Sequence, residues 1–219
     1  MTDFTVHSIP GSPYGRAVLA TLEEKGAAYR FNVVPPGTFG SEPHISRHPF
    51  GKVPVLDHDD FRLYETQAIM RYLDRILPDP PLTPADPRAA ARMDQTMAVN
   101  DCYLFNGVAN VILFQRVVGP RLMGLTSDEA LIAATMPKAE TVFSELERLL
   151  NGNPYFSGAS VSLADILLAC HIDFFLGTPE WDHLSPTRPT VVAWLDRMNE
   201  RPSMMKTTWP RVAELAKLA

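Results

Sequence analysis

The sequence predicts a small β-α-β-β-α domain followed by an all-helical domain. Three observations carry that reading. Short runs before residue 78 alternate apolar and polar residues with period two, five prolines fall among residues 78–87, and helical periodicity fills the remainder. Phe4-Thr5-Val6-His7-Ser8-Ile9 alternates as a strand does. Pro10-Gly11-Ser12-Pro13 is a turn that leads into a helix, with Val18, Leu19 and Leu22 on its buried side and Gly26 as its C-terminal stop. Tyr29 to Val34 is a second strand, and residues 35–52 read as loop with room for one short helical turn. Val53-Pro54-Val55-Leu56 and Phe61-Arg62-Leu63-Tyr64 are two short strands, joined by the hairpin composition Asp57-His58-Asp59-Asp60. From Thr66 to Leu77 the apolar positions Ile69, Tyr72, Leu73 and Ile76 share one helical face.

Pro78, Pro80, Pro81, Pro84 and Pro87 exclude both helix and central strand. The boundary therefore falls here: residues 1–77 form the first domain, 78–86 a stiff proline-rich linker, and 87–219 the helical domain. Within the latter, helices are expected at about 87–118, 128–150, 162–177 and 189–200.

Bulk composition narrows the function classes. The 219 residues are 46% hydrophobic and 21% charged, a globular mix that suffices for one large domain or two small ones without disulfide or metal staples. A net charge of −5 and the lack of a basic tract argue against a nucleic-acid partner. Neither a signal peptide nor an apolar run of about 18 residues is visible, so no membrane partner is expected and the setting is read as cytosolic. Cys102 and Cys170 sit in apolar helical patterns without metal-ligand spacing and read as reduced core thiols.

Three segments could carry chemistry. Ser12 suits an N-cap and Pro13 the first helical position. A hydroxyl there can accept a backbone N–H and still donate its own proton to an anion beside the helix N-terminus. A thiolate would suit: lowering a thiol pKa by two units takes about 2.7 kcal/mol, the size of one charge-assisted bond plus a helix end. A plain cap is the alternative. In Phe50-Gly51-Lys52-Val53-Pro54, a cis Val53–Pro54 bond would turn the Val53 backbone outward toward a peptide-like ligand. Glu65 ends a strand and Thr66 would cap the next helix, a junction suited to an α-amino-acid head group.

Ser-Pro-x-x-Arg-Ala-Val from Ser12, then Pro-Phe-Gly-Lys-Val-Pro from Pro49, then Glu-Thr-x-Ala-Ile from Glu65, ahead of a helical domain, resembles a cytosolic glutathione transferase of the serine type, theta-, phi- or delta-like. The likeness spans essentially the whole chain. In the second half, Ser162-Leu163-Ala164-Asp165 forms a capping box with Val161 and Ile166 as its apolar staple. The Pro189–Pro202 segment resembles the family's late helix ending in Arg-Pro. The resemblance implies an α/β thioredoxin-like N-terminal domain that binds glutathione and an all-α domain that carries the electrophile site. It implies that Ser12 hydrogen-bonds the glutathione sulfur and that the Val53 backbone, beside cis Pro54, pairs with the cysteinyl amide. Glu65 and Thr66 would hold the γ-glutamyl end, and Phe50 would insert into the partner of a homodimer.

Phe39 and Gly40 stand where phi-type relatives carry a His-Lys pair, so glycyl recognition falls to Lys52 and His44. Tyr14 is a rival hydroxyl and an electrophile-site candidate, and Arg16 a supporting charge. Asn100, Tyr103, Asn106, Asn110 and Phe114 recur at helical spacing; Tyr103, Asn106 and Asn110 are the electrophile-site candidates, unless this face is solvated or meets a partner subunit. Met97, Leu104, Phe105, Val108, Val111 and Ile112 would be core. The implied activity is conjugation of the glutathione thiolate to small hydrophobic electrophiles, a detoxification chemistry, with glutathione as co-substrate and no metal. Glutathione-dependent isomerisation, dehalogenation or peroxide reduction, or non-catalytic binding on this scaffold, are the alternatives.

Overall fold

A computed structural model describes residues 3–217. They form two compact units: one of residues up to Thr83 with those from Asn199 on, the other Pro84–Met198. The final segment was expected in the helical domain. It belongs instead with the first unit, because its apolar and charged side chains find their partners there.

In the first unit, β1 (Phe4–Ser8), α1 (Pro13–Glu24) and β2 (Tyr29–Val33) make a parallel β-α-β turn. After the short α2 (His44–Arg47), β3 (Val55–His58) and β4 (Phe61–Tyr64) form an antiparallel hairpin, and α3 (Thr66–Ile76) follows. The sheet order is β2-β1-β3-β4, with β3 antiparallel to β1. One core joins the sheet to α1 and α3 through Phe4, Val6, Val18, Leu22, Leu56, Ile69 and Leu73. Helix α1 ends as its sequence anticipates. Gly26 takes φ +61°, its N–H reaches the Glu23 carbonyl, and the Ala27 N–H reaches that of Leu22.

The proline-rich stretch starts as a docked segment rather than a free spacer. Lys25 ends α1 with its ammonium buried, where it donates to Asp74 of α3 at 2.6 Å and to the Pro80 carbonyl at 2.5 Å. The Leu82 N–H donates to the same Asp74 oxygen at 2.9 Å, and the Leu82 side chain is buried. Prolines remove donors from this stretch, so its backbone is held by two bonds from outside.

The second unit opens with α4 (Pro87–Val99), capped by Asp86, whose carboxylate accepts the Ala89 N–H. The single helix expected to about 118 is broken. A π-wound stretch (Asn100–Ala109) turns sharply at Asn106 and at Gly107, whose φ is +94°; a short α5 (Asn110–Leu113) and a second π-wound stretch (Phe114–Met123) follow. Within the run Pro87–Met123, one window reaches a mean hydropathy of 1.3, so it is long and apolar enough to span a bilayer, contrary to the sequence reading. It is the core helix of this unit, burying Met93, Met97, Leu104, Val108 and Ile112. Phe105 and Val111 are only half-buried, and Cys102, expected in the core, is exposed; Cys170 is buried, and neither cysteine is in a disulfide. The periodicity of an unbroken α-helix does not carry across the π-wound turns, which accounts for these misplaced positions.

Beyond it lie α6 (Glu129–Leu150), α7 (Leu163–Ile172), α8 (Pro179–Leu184) and α9 (Pro189–Asn199). Every residue of α7 is buried. Its start is fixed by Asp165, which accepts from the Ser162 amide and hydroxyl at 2.9 and 2.6 Å. The Phe156 amide and the Trp194 indole donate to it at 2.9 Å each. Burial pushes the Asp165 carboxyl up, against the pull of these donors.

Burial also pushes the Asp74 carboxyl up, but the bonds from Lys25, Thr83 and the Leu82 N–H outweigh it and hold the group below the ordinary range. The pair therefore stabilises the fold above the ordinary carboxylate pKa, and the gain is lost as pH falls through the depressed value. Lys25→Met is expected to cost about 3–5 kcal/mol at neutral pH, because it strands a buried carboxylate. Denaturant unfolding across pH should show that deficit shrinking in acid.

Candidate functional site

Sheet register brings the three chemistry-bearing segments to one end of the first unit. His7 pairs with both Asn32 and Val55, and Val55 pairs with Tyr64. The turn after β1, the loop before β3 and the junction after β4 therefore open at the same end of the sheet. They carry Ser12, then Lys52 with Val53 and Pro54, then Glu65 with Thr66.

Ser12 is the N-cap of α1. Its backbone is extended, and its Oγ accepts the Gly15 N–H at 3.0 Å. With the oxygen engaged as acceptor, the hydroxyl proton points away from the helix backbone and can donate to an anion. The turn is tightly built. Gly11 takes φ +84°, where a Cβ would lie 2.6 Å from the Trp209 indole, and at Gly15 a Cβ would lie 2.1 Å from Ser8 Oγ. One turn into α1, Arg16 is buried and donates through Nη2 to the Met204 carbonyl at 3.2 Å, a structural charge rather than a group facing the open end. Tyr14, on the first turn, is half-buried.

Val53–Pro54 is cis, and the pair lies just before β3 begins at Val55. Lys52 is exposed, while its carbonyl turns inward to accept from His44 Nε2 at 2.8 Å. His44, a candidate for the glycyl end, is buried and acts as a staple for the Lys52 loop. Its ring is spent on the backbone because α2 packs it beneath that loop. Gly51 has φ +59°, and a Cβ there would come within 2.7 Å of the Phe39 carbonyl. Phe39 and Gly40 thus shape the loop by close backbone approach.

At the third segment, Glu65 rather than Thr66 is the N-cap of α3, with φ +71°, and it makes no cap bond to its own helix. A left-handed backbone at a non-glycine residue is strained, and such strain concentrates at ligand sites. It leaves the first N–H groups of α3 without a side-chain cap and the Glu65 carboxylate exposed. Thr66 is buried as the first helical residue. This end of the unit therefore presents a donor hydroxyl, an open helix N-terminus, a carboxylate, an ammonium and a peptide edge, a set that matches an extended peptide with charged ends. A groove of about 600 Å³ lined by Asp3, Phe4, Lys25 and Tyr29 lies at the other end of the sheet, away from these groups.

Near this end His48, Tyr64 and Phe50 form an aromatic cluster: His48 and Tyr64 have ring centroids 4.7 Å apart, and Phe50 meets both edge-on at 6.1 and 6.3 Å. Burial lowers the His48 pKa despite the Glu65 charge nearby. Phe50 is 69% exposed. In the second unit the polar stripe is not one helical face, because the chain breaks within it. Asn106 donates to the Asp101 carbonyl at 2.8 Å and Asn110 accepts the Gly107 N–H at 2.8 Å, so both amides secure the break. Tyr103 is 63% exposed. Among the described residues no group of three His, Cys, Asp or Glu side chains converges on a metal position. The sequence reading missed Trp209, which nothing local marks, and it carried Gly51 only as a member of the Phe50–Pro54 motif, without its close approach to Phe39.

Residues 6–81 match the family model described as glutathione S-transferase, N-terminal domain, and residues 106–202 match glutathione S-transferase, C-terminal domain. Glutathione S-transferase F14 of Arabidopsis thaliana is 34% identical over 198 residues, covering 87% of this chain and 77% of its own. The crystal structure of glutathione transferase F7 from Populus trichocarpa superposes with a TM-score of 0.84 at 26% identity, covering 97% of this chain and 99% of that one. A theta class glutathione S-transferase from the citrus canker pathogen Xanthomonas axonopodis pv. citri, solved with glutathione bound, gives 0.82 at 27% identity, covering 95% and 98%.

Proposed function

The chain belongs to the glutathione S-transferase family and is a glutathione transferase with glutathione as co-substrate, and from that premise we propose that Ser12 ionises the thiol. The observation that carries the assignment is the Ser12 Oγ bond from the Gly15 N–H, which commits the oxygen as acceptor and frees the hydroxyl proton. The glutathione thiol loses its proton to water, and the remaining sulfur anion is held by the Ser12 hydroxyl beside the N-terminus of α1. The sulfur lone pair then forms a C–S bond at a small apolar electrophile. Where that carbon bears a leaving group, its bond breaks and the group departs with the electron pair; where it is unsaturated, the π bond breaks and the resulting anion takes a proton from water. Acceleration comes from thiolate formation and proximity.

The other residues hold the peptide. The Glu65 carboxylate takes the γ-glutamyl ammonium, and the uncapped N–H groups at Thr66 take its carboxylate. The Val53 backbone, set by Pro54, pairs with the cysteinyl amide, and Lys52 meets the glycyl carboxylate with its loop stapled by His44. Tyr103 is the electrophile contact; Asn106 and Asn110 shape the chain around it. Phe50, exposed and backed by His48 and Tyr64, fits insertion into a second copy, giving a homodimer. Cys102 and Cys170, neither of them in a disulfide, fit a reducing, cytosolic setting.

Ser12→Ala is expected to raise the pKa of the bound thiol by about 1–2 units and to lower kcat/KM at neutral pH some 10- to 100-fold. Thiolate absorbance titration reads it, and an unchanged pKa would transfer the role to another donor such as Tyr14. Glu65→Gln should raise the KM for glutathione about tenfold while kcat changes little, in steady-state kinetics. Phe50→Ala should weaken self-association about thirtyfold or more in sedimentation experiments, as expected for an aromatic anchor.

A further inference from the structure

The segment after α9 is a strap along the whole length of α1. At the C-terminal end of that helix, Arg201 donates twice to Glu24, both at 2.7 Å, and Ser203 Oγ donates to the same carboxylate at 2.5 Å. Lys206 pairs with Glu23 at 2.9 Å. One turn into the helix, Arg16 reaches back to the Met204 carbonyl at 3.2 Å. The strap runs on through α10 (Pro202–Lys206) to α11 (Trp209–Leu215), whose Val212 enters the core with Val18 and Leu22.

At the N-terminal end the indole of Trp209 covers Gly11. A Cβ on Gly11 would stand 2.6, 2.8 and 2.9 Å from Cε2, Cδ2 and Cζ2 of that ring. The aromatic surface therefore rests on the backbone one residue before Ser12. Glycine has the greatest backbone freedom of any residue, and Gly11 is held at φ +84°. An uncovered turn of this kind would sample other conformations, and the Ser12 hydroxyl would move with it.

We propose that Trp209 is a positioning residue for thiol ionisation: its indole clamps the Gly11–Ser12 turn so that the Ser12 hydroxyl stays aimed at the sulfur. The inference rests on the reading of Ser12 as the thiol's donor. A hydrogen bond to an anion is sensitive to alignment, so loosening the turn weakens it in the thiolate state more than in the thiol state. Glu65 and Lys52 sit on the other two segments of the site, after β4 and before β3, so the grip on the ends of glutathione is expected to persist. The strap's charged anchors lie at the far end of α1, roughly 18 Å away along a 12-residue helix.

The test uses the full-length protein and glutathione itself. Trp209→Ala should raise the bound-thiol pKa by about one unit, and so lower kcat/KM about tenfold at pH values below that pKa, with the KM for glutathione within about twofold of wild type. Trp209→Phe, which keeps a ring on Gly11, should restore most of the shift. Arg201→Ala is the structural control: it loosens the strap at its far end and should lower thermal stability without moving the thiol pKa. If Trp209→Ala destabilises the protein but leaves the pKa in place, or if Arg201→Ala moves it equally, the proposal is overturned. Should Trp209→Ala fail to fold, Trp209→Leu carries the same readout, with an unchanged pKa again overturning the proposal. A Ser12→Ala variant measured alongside separates the two readings: no shift there means that the Ser12 assignment itself has failed.

Discussion

The bond from the Gly15 N–H to Ser12 Oγ is the constraint on which the rest of the site depends. It caps the N-terminus of α1 and orients a hydroxyl with one geometry. The surrounding sequence serves that geometry. Pro13 pre-sets the first helical φ, Gly15 lets the helix approach Ser8, and Gly11 supplies the left-handed backbone that turns the chain out of β1. A Cβ at either glycine would collide, with Trp209 at Gly11 and with Ser8 at Gly15, and the turn that holds the hydroxyl would have to shift.

The same economy appears where α1 ends. Lys25 is at once a helix C-cap, the buried partner of Asp74 and the tether of Pro80, so one ammonium fixes α1, α3 and the start of the proline-rich segment. Glu24, its neighbour, ties down the returning C-terminal segment. Burial alone would push that carboxyl up, but Arg201 and Ser203 outweigh it and hold it below its ordinary range. Helix α1 is thereby fixed at both ends by groups distant in sequence, which suits a helix whose first turn carries the chemistry.

Local physics made much of this legible beforehand. Strands with period two, a Ser-Pro cap, a Gly stop and an Asp-rich hairpin each declare themselves within a few residues, and β1 to α3 follow in the expected order, although β3 runs Val55–His58 rather than 53–56, so that Asp57 and His58 pair in the ladder and the turn narrows to Asp59-Asp60. What escaped depends on pairings across the chain. Nothing near Trp209 points to Gly11, nearly 200 residues earlier, and nothing near His44 announces that its ring will be spent on the Lys52 carbonyl. Leu82 is buried because Asp74 accepts its amide, which proline counting cannot reveal. The break at Asn106-Gly107 is a different failure. That dipeptide is a turn signal, overridden by an apolar periodicity that runs through it. At Glu65 the composition pointed to the right chemistry while the left-handed backbone that leaves the helix end open stayed hidden.

One hydroxyl is thus asked to serve the helix and the thiolate together. A crystal structure of the protein with bound glutathione, at a resolution that fixes the Ser12 rotamer, tests it most directly. The glutathione sulfur should lie within hydrogen-bond distance of Ser12 Oγ while the Gly15 N–H still donates to that oxygen. A sulfur held by Tyr14 or by another donor, or a Ser12 side chain rotated off its helix to reach the sulfur, would contradict it.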